Sequence, residues 1–429
     1  MDLIATEVVQ PRAPEEVDLT DPRVQECPYP AYAVLREQAP VYKDPHTGYY
    51  VVTKYEDLRE VLRNYDLYTR DISGTFDKTV DSGRTGYWRF PQAVRAVFRE
   101  KGWLQLDGFS REPPTHAELR SYVDPSFTAG RIRKMEPQIQ RLIDGLIDSF
   151  MDDGEVEFVS QFCVPLPMHV IADRLGLPEA DLPRLKAWSM DQVMSMSQRM
   201  TEEEEIATAT RLAEFQHYLV EKFEEKRRNP AEDIISDLVN ARNAKGEPLP
   251  VEELLGVTFA LNIGGNETTT NSLAAGMLML LEKPEIMAEL RADRSRLKNF
   301  IEEIIRLETP VQSLFRIARK ESVLRGVTIP RNAIIDMRFG AANRDPEAFE
   351  APDQMDLHRK GPGRHMAYGT AHHHCIGAPL ARQEMTLAFS SLLDRMADIQ
   401  LAPGKNDFQH HPHFALRGLK ALHLTFRKA

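Results

Sequence analysis

The spacing of apolar residues along the 429-residue chain predicts helices over most of its length. Apolar positions recurring at a period near 3.6 residues begin at Tyr55 and near Pro114, and continue through 132–151, 201–228, 252–282 and 299–307. Thr201 and Glu204 have the spacing of a capping box at one helix start, and Pro284 follows the end of the longest, mostly apolar helix.

β-strand patterns are short and few. Residues 41–53 predict a hairpin around a turn at 44–47, and further strands are expected at 333–337 and 420–426. The fold class predicted from these patterns is mainly α with a small β portion, in a single domain that follows a tail of about twenty residues.

Composition limits the classes of protein that the chain can belong to. Apolar residues make up 42% and charged residues 28%, as in ordinary globular proteins. The net charge of −11 disfavours nonspecific binding to nucleic acid or an anionic membrane. Three scattered cysteines argue against a disulfide framework, and no apolar run approaches the ~20 residues of a membrane span or forms a signal peptide. A cytoplasmic protein is therefore expected.

Cys375 is the residue that carries the most chemical information. It follows a turn-rich stretch, 368–374, and precedes a helix start that Pro379 favours. Amide groups at a helix start favour the anionic form of a thiol, so Cys375 is either a nucleophile or a metal ligand. Cys27 and Cys163 have no comparable neighbours and are expected to be ordinary buried residues.

The segment around Cys375 resembles the haem-binding loop of the cytochrome P450 family, whose pattern is F-G-x-G-x-H-x-C-x-G-x-x-L-A-R-x-E. The matching positions are Gly369, His373, Cys375, Gly377, Leu380, Ala381, Arg382 and Glu384. The resemblance extends from about Asp21 to Phe426. It implies a triangular, helix-rich domain that encloses haem b, with Cys375 as the axial ligand of the iron and with haem-thiolate monooxygenase activity.

Two loop positions depart from the family pattern. Tyr368 replaces a Phe and adds a hydroxyl group that needs a partner. Ala371 replaces a Gly, which disfavours a positive φ, so a somewhat different loop backbone is expected there.

The long apolar helix contains Gly264, Gly265, Glu267 and Thr268. Each glycine inside a helix costs about 1 kcal/mol relative to Ala, and close helix packing or close approach of a flat ligand would offset that cost. By the resemblance, the two glycines would border the haem, Thr268 would hydrogen-bond to dioxygen at the iron, and Glu267 would relay protons.

The resemblance also assigns supporting roles to charged residues. Glu303 and Arg306 match the family's E-x-x-R, and Arg359 would complete a buried structural network with them. The donors to the haem propionates would be His116, Arg120, Arg316 and His373.

Substrate and electron donor are less closely specified. The segment 71–112 is rich in aromatic residues, which favours a small aromatic substrate, hydroxylated or O-demethylated; a terpenoid or secondary-metabolite intermediate is the alternative. Candidate wall residues are Trp88, Phe90, Trp103, Phe259, Ile263, Val311, Leu314 and Phe414. No flavin or iron–sulfur motif is present, so a ferredoxin-type donor with its reductase is expected, attracted by Arg131, Arg133, Lys134 and Arg382.

Two other classes of protein would also account for parts of this pattern. A non-catalytic haem sensor or carrier would not need the Glu267–Thr268 pair. A structural zinc site using His372, His373, His374 and Cys375 is disfavoured because the chain has no Cys-x-x-Cys pair.

Overall fold

The computed structural model describes residues 8–70, 92–103, 109, 111–197 and 200–429. Its helices are α1 Pro22–Glu26, α2 Tyr29–Gln38, α3 Tyr55–Arg63, α4 Gln92–Lys101, α5 Thr115–Val123, α6 Ala129–Met151, α7 Pro165–Leu175, α8 Leu182–Ser195, α9 Glu202–Arg228, α10 Ile234–Asn240, α11 Val251–Glu282, α12 Pro284–Ala292, α13 Leu297–Glu308, α14 Phe339–Ala342 and α15 Ala378–Arg395. The expectation of a mainly helical fold is confirmed.

The strands form three small sheets. They are β1 Val41–Lys43, β2 Tyr50–Val52, β3 Tyr68–Thr69, β4 Glu155–Glu157, β5 Ser313–Ala318, β6 Ser322–Leu324, β7 Val327–Ile329, β8 Ile334–Arg338, β9 Met396–Leu401 and β10 His423–Lys428. The largest sheet has the order β1-β2-β8-β5-β3, in which only β2 and β8 run parallel. The hairpin expected at 41–53 is β1–β2, with Gly48 at φ 73° closing the turn.

Local sequence chemistry explains where the long helices begin. The Thr201 hydroxyl accepts the Glu204 N–H at the start of α9, and the Glu204 carboxylate accepts the Thr201 N–H at 2.7 Å. This reciprocal capping satisfies two amide groups that the helix itself leaves without partners. The capping box expected from the sequence is confirmed.

Helix α11 lies at the centre of the helical part of the molecule. It packs against α7, α8, α13 and α15, and its buried apolar side chains belong to the largest apolar cluster. A helix without a distinct polar face is stable only when other elements surround it. Among the described helices, none has an apolar stretch of the length needed to cross a membrane.

Candidate functional site

The loop before α15 places Cys375 by backbone hydrogen bonds. The Cys375 N–H donates to the carbonyl of Tyr368 at 2.8 Å, and the Gly369 N–H donates to Met366 at 2.8 Å. Gly369 has φ 67° and Ala371 has φ 57°, so both lie in the left-handed region. Ala371 therefore takes the positive φ that alanine disfavours and that suits glycine, at a cost of order 1 kcal/mol.

The Cys375 sulfur faces a cavity at the start of α15. Burial raises the pKa of the Cys375 thiol, while N–H groups of Gly377 and Ala378 and the charges of Arg120 and Arg382 act in the opposite direction. The protein therefore provides hydrogen bonds for a sulfur anion but does not by itself ionise the thiol. A metal cation at the sulfur would complete the ionisation.

The cavity has a volume of about 310 Å³ and lies between α11 and the Cys375 loop. Gly264, Gly265 and Thr268 of α11 line one side, and Tyr368, Gly369 and Cys375 line the other. Its size is in the range of small-molecule and cofactor sites.

The two glycines of α11 face different surroundings. A Cβ added to Gly264 would meet nothing within 4 Å, so the missing side chain enlarges the cavity. A Cβ added to Gly265 would lie 2.7 Å from the Cγ1 atom of Ile171 in α7. Gly265 also borders the cavity, but its lack of a side chain is required by helix packing.

Glu267 and Thr268 also point in different directions. The Thr268 hydroxyl donates to the Gly264 carbonyl at 2.9 Å and borders the cavity. Glu267 is buried outside the cavity lining, where its carboxylate contacts Lys186 at 2.5 Å and accepts from Ser189 and Asn266. The alcohol is thus at the cavity, and the acid joins α11 to α8.

Basic and histidine side chains gather at one end of the cavity. His116, Arg120 and His373 line it as the sequence suggested, and Arg70 after β3 joins them. Burial lowers the pKa of His116 to about 4 and that of His373 to about 3, so both rings are neutral near pH 7. The sequence reasoning did not identify Arg70, because no local motif surrounds it.

Arg316 lies close to this group without lining the cavity. Burial lowers the pKa of its guanidinium to about 9, and the guanidinium donates to the carbonyl of Phe315 at 2.8 Å. Within the described residues it forms no salt bridge. A buried cation in this state is suited to an added carboxylate.

Glu112 is an acidic residue within this basic group, and the sequence reasoning did not identify it. Although burial would raise the pKa of Glu112, hydrogen bonds from His373, the Arg70 backbone and His372 hold it at about 2. The ligand atoms of Glu112, His372 and His373 lie within 4.8 Å of one another. Cys375 is not part of this group in the described structure, which weakens the reading of a zinc site built on the cysteine.

Glu303, Arg306 and Arg359 are brought together in the core. The Glu303 carboxylate accepts from Arg306 at 2.6 and 2.8 Å and from Arg359 at 2.9 Å. Both arginines also donate to backbone carbonyls between 343 and 354. The network joins α13 to the chain that leads to the Cys375 loop.

The candidate wall residues are only partly at the cavity. Val311 and Leu314 line it, whereas Trp103, Phe259, Ile263 and Phe414 do not. Phe259 packs on Phe215, and Phe414 stacks on Phe315 in a separate core cluster. Trp88 and Phe90 lie outside the described residues.

Trp103 lies against α9 and does not reach the cavity. Its backbone N–H donates to the Gln216 side chain at 2.9 Å, and its ring contacts His217 of α9. Apolar residues that were not predicted as wall residues from the sequence form much of the cavity wall. They are Phe109, Ile171, Ala260, Leu261, Ile305 and Phe339.

Comparison with known proteins links this geometry to one family. The model of the family described as Cytochrome P450 matches residues 184–412. Cytochrome P450 monooxygenase PikC of Streptomyces venezuelae is 32% identical, covering 94% of this chain and 91% of the relative. The steroid C26-monooxygenase of Rhodococcus jostii (strain RHA1) is 31% identical, covering 92% and 82%. The structure of P450BioI in complex with hexadec-9Z-enoic acid ligated acyl carrier protein has a TM-score of 0.82 at 30% identity, covering 94% and 99%.

Proposed function

The chain belongs to the cytochrome P450 family, and we propose that this monooxygenase oxidises a small apolar, aromatic substrate in the cavity beside Cys375. Members of the family hold haem through a cysteine thiolate. We assign Cys375 as that ligand in this chain, because its sulfur faces the cavity and accepts hydrogen bonds from backbone N–H groups at the start of α15.

The residues around the cavity fit haem. The open space at Gly264 leaves room for a flat ring against α11, and the buried charge of Arg316 needs an anion. We assign Arg120, His116 and His373, which line the cavity, and the nearby Arg316 as donors to the two propionates, and we add Arg70 to them. When bound, haem supplies the oxidising chemistry, in which one atom of O2 enters a substrate C–H bond and the other leaves as water.

Thr268 and Glu267 are assigned to proton delivery. The Thr268 hydroxyl lines the cavity, as do those of Thr269 and Ser272, and it donates to the Gly264 carbonyl of its own helix; we assign it as the hydroxyl that passes protons into the cavity. Glu267 is one residue away and connects with Lys186, Ser189 and Asn266. This polar group leads from α8 to the helix that carries Thr268, and a non-catalytic haem carrier would not need it.

The observation that carries the substrate proposal is the apolar character of most of the cavity walls. Val311, Leu314, Leu261, Phe109 and Phe339 offer no charge to a ligand. Such walls select compact apolar molecules, and the two aromatic rings favour a flat one, hydroxylated or O-demethylated. A terpenoid or other secondary metabolite is the second candidate, supported by a relative named as a steroid monooxygenase.

For the electron donor we propose an acidic, ferredoxin-type protein with its reductase. Arg131, Arg133 and Lys134 lie at the start of α6, and the side chain of Gln383 in α15 contacts Glu136 in the same helix. Basic residues therefore lie near the helix that begins after Cys375. Opposite charge on the donor would speed its encounter with this otherwise acidic protein.

A spin-state binding screen of the haem-loaded protein tests the substrate proposal. We expect aromatic ethers and phenols to shift the haem absorbance at lower concentration than terpenoids do. Val311→Ala, which removes two methyl groups from the wall, should weaken binding by roughly tenfold. The same change at Val323, which is 63% exposed on β6, should leave affinity unchanged. A response to terpenoids alone would contradict an aromatic substrate.

A further inference from the structure

A second cavity of about 210 Å³ lies beside the Cys375 loop, between α3 and residues 363–374. It shares Tyr368, Gly369 and His374 with the substrate cavity, so the loop separates the two spaces. Four arginines line the second cavity, which we call the arginine cleft: Arg59, Arg63, Arg364 and Arg382.

The charges in the arginine cleft are only partly balanced. Arg59 pairs with Glu56, and Arg382 pairs with Glu302 at 2.5 and 3.0 Å. Within the part of the chain that is described, the Arg63 and Arg364 side chains have neither an ion pair nor a hydrogen bond. Arg63 and Arg364, both exposed to solvent, thus line one small space without a counter-charge of their own, and an anion there could accept hydrogen bonds from both.

The chemistry of the arginine cleft favours an oxyanion. Guanidinium groups present planar pairs of N–H donors that match the oxygens of phosphate or carboxylate. The side chain of Arg364 lies over Gly361, which has φ 62°. A Cβ added to Gly361 would lie 3.2 Å from the Cδ atom of Arg364, so the glycine leaves room for the arginine to cross the turn. The Tyr55 hydroxyl donates to the Arg364 carbonyl at 2.7 Å and fixes the backbone there.

The arginine cleft is in contact with the residue that holds Cys375. The Tyr368 carbonyl accepts the Cys375 N–H, and the Arg382 guanidinium lies 4.5 Å from the centre of the Tyr368 ring. An anion in the cleft would therefore lie against the far side of the loop that carries the sulfur.

We propose that the arginine cleft is a binding site for a small oxyanion, a phosphate or carboxylate group held by Arg63 and Arg364. Two sources share this chemistry: a free oxyanion, or an acidic side chain of the electron donor. Binding of the electron donor's side chain rests on the proposed function, whereas binding of a free oxyanion does not.

The free anion is tested by calorimetric titration of the haem-loaded protein with inorganic phosphate, at an ionic strength held constant with chloride. We expect saturable binding at one site. The double variant Arg63→Glu, Arg364→Glu should weaken it by at least about tenfold, because both donors are replaced by like charges. Arg228→Glu, the same reversal at an exposed position at the end of α9, should leave it unchanged.

The donor is tested by measuring the rate of haem reduction as a function of ferredoxin concentration. If its carboxylate occupies the cleft, the double variant needs more ferredoxin for half-maximal rate, and phosphate competes with ferredoxin in the parent protein. Phosphate binding in a protein without monooxygenase activity would support the site and contradict the proposed function. If the double variant changes neither phosphate binding nor the ferredoxin dependence, the proposal is overturned.

Discussion

Thr268 and Glu267 show how strongly the direction of one side chain decides its chemical surroundings. Successive residues of a helix point about 100° apart, so adjacent side chains leave the helix in different directions. Thr268 borders the cavity, while Glu267 contacts Lys186 and Ser189 of α8. The sequence identifies the pair, but only the packing of α8 on α11 shows which member is at the cavity.

Thr268→Ala should separate electron consumption from product formation, because it removes the hydroxyl that we assign to proton delivery. We expect NADH consumption, supplied through ferredoxin and its reductase, to continue while product per NADH falls several-fold. The ratio of product to NADH consumed is the measurement. Thr258→Ala is the control, since the Thr258 hydroxyl makes the same bond, to Leu254 at 2.8 Å, away from the cavity. Equal coupling in the two variants would refute the role of Thr268.

At the scale of elements, α11 combines two glycines that serve different purposes. Gly265 allows α7 to approach, since an added Cβ would overlap Ile171, whereas Gly264 faces open cavity. Both glycines weaken the helix to a similar extent. Packing of α7 offsets this cost at Gly265 only, so we expect bound haem to offset the cost at Gly264.

The two glycines give a matched pair of variants in the haem-free protein. Gly265→Ala should lower the free energy of unfolding by about 1–3 kcal/mol through overpacking against Ile171. Gly264→Ala should raise it by up to about 1 kcal/mol through helix propensity, and should weaken haem binding. Urea unfolding and haem titration measure both effects. The same stability change in both variants would contradict the distinction.

His413 connects the chain near the C-terminus to α8 through hydrogen bonds. The His413 ring donates through Nε2 to the Val193 carbonyl at 3.0 Å and accepts the Ala415 and Leu416 N–H groups at Nδ1. Burial lowers the pKa of His413 to about 4. Protonation would place a second N–H against the two amide donors, so the neutral ring is required.

This connection predicts a loss of stability in acid. The unfolded chain binds a proton at His413 near pH 6.5, and the folded protein binds it only near pH 4. The stabilisation that the neutral His413 ring gives to the folded protein is therefore complete above pH 6.5 and declines below it. Between pH 7 and pH 4 we expect a loss of up to about 3 kcal/mol from this group. Urea unfolding at several pH values should show a smaller loss in His413→Gln. Parallel profiles would contradict the assignment.

Sequence periodicity predicted the elements better than the site. The hairpin at 41–53 and the capped helix α9 were predicted because each depends on local turn and cap chemistry. Family position alone predicts Phe259 and Phe414 at the cavity, yet they pack against other aromatic rings. Arg70 and Glu112 reach the site from distant segments and have no local signature. Contacts of this kind depend on tertiary packing, which periodicity does not encode.

At the scale of the whole molecule, buried charges join distant parts of the chain. Glu303 of α13 holds Arg306 and Arg359, and those arginines contact carbonyls of the segment before the Cys375 loop. All three side chains are nearly inaccessible to solvent. Removing one member would leave charges in the core without a partner.

Glu303→Gln should therefore lower the free energy of unfolding by about 3–5 kcal/mol. Glu289→Gln, which disrupts the more exposed pair with His358, should cost less than about 1 kcal/mol. Urea unfolding of the two variants under the same conditions measures the difference. Comparable losses would show that the Glu303 network has no special structural role.

The central claim is that Cys375 binds the iron of haem as a thiolate, and the absorption spectrum of the reduced, CO-bound protein tests it most directly. We predict the red-shifted Soret band of thiolate-ligated haem in the parent chain. Cys27→Ser, a change at a buried cysteine in another core cluster, should retain the band, and Cys375→Ser should lose it. An unshifted band in the parent chain, or a red-shifted band that survives in Cys375→Ser, would contradict the account.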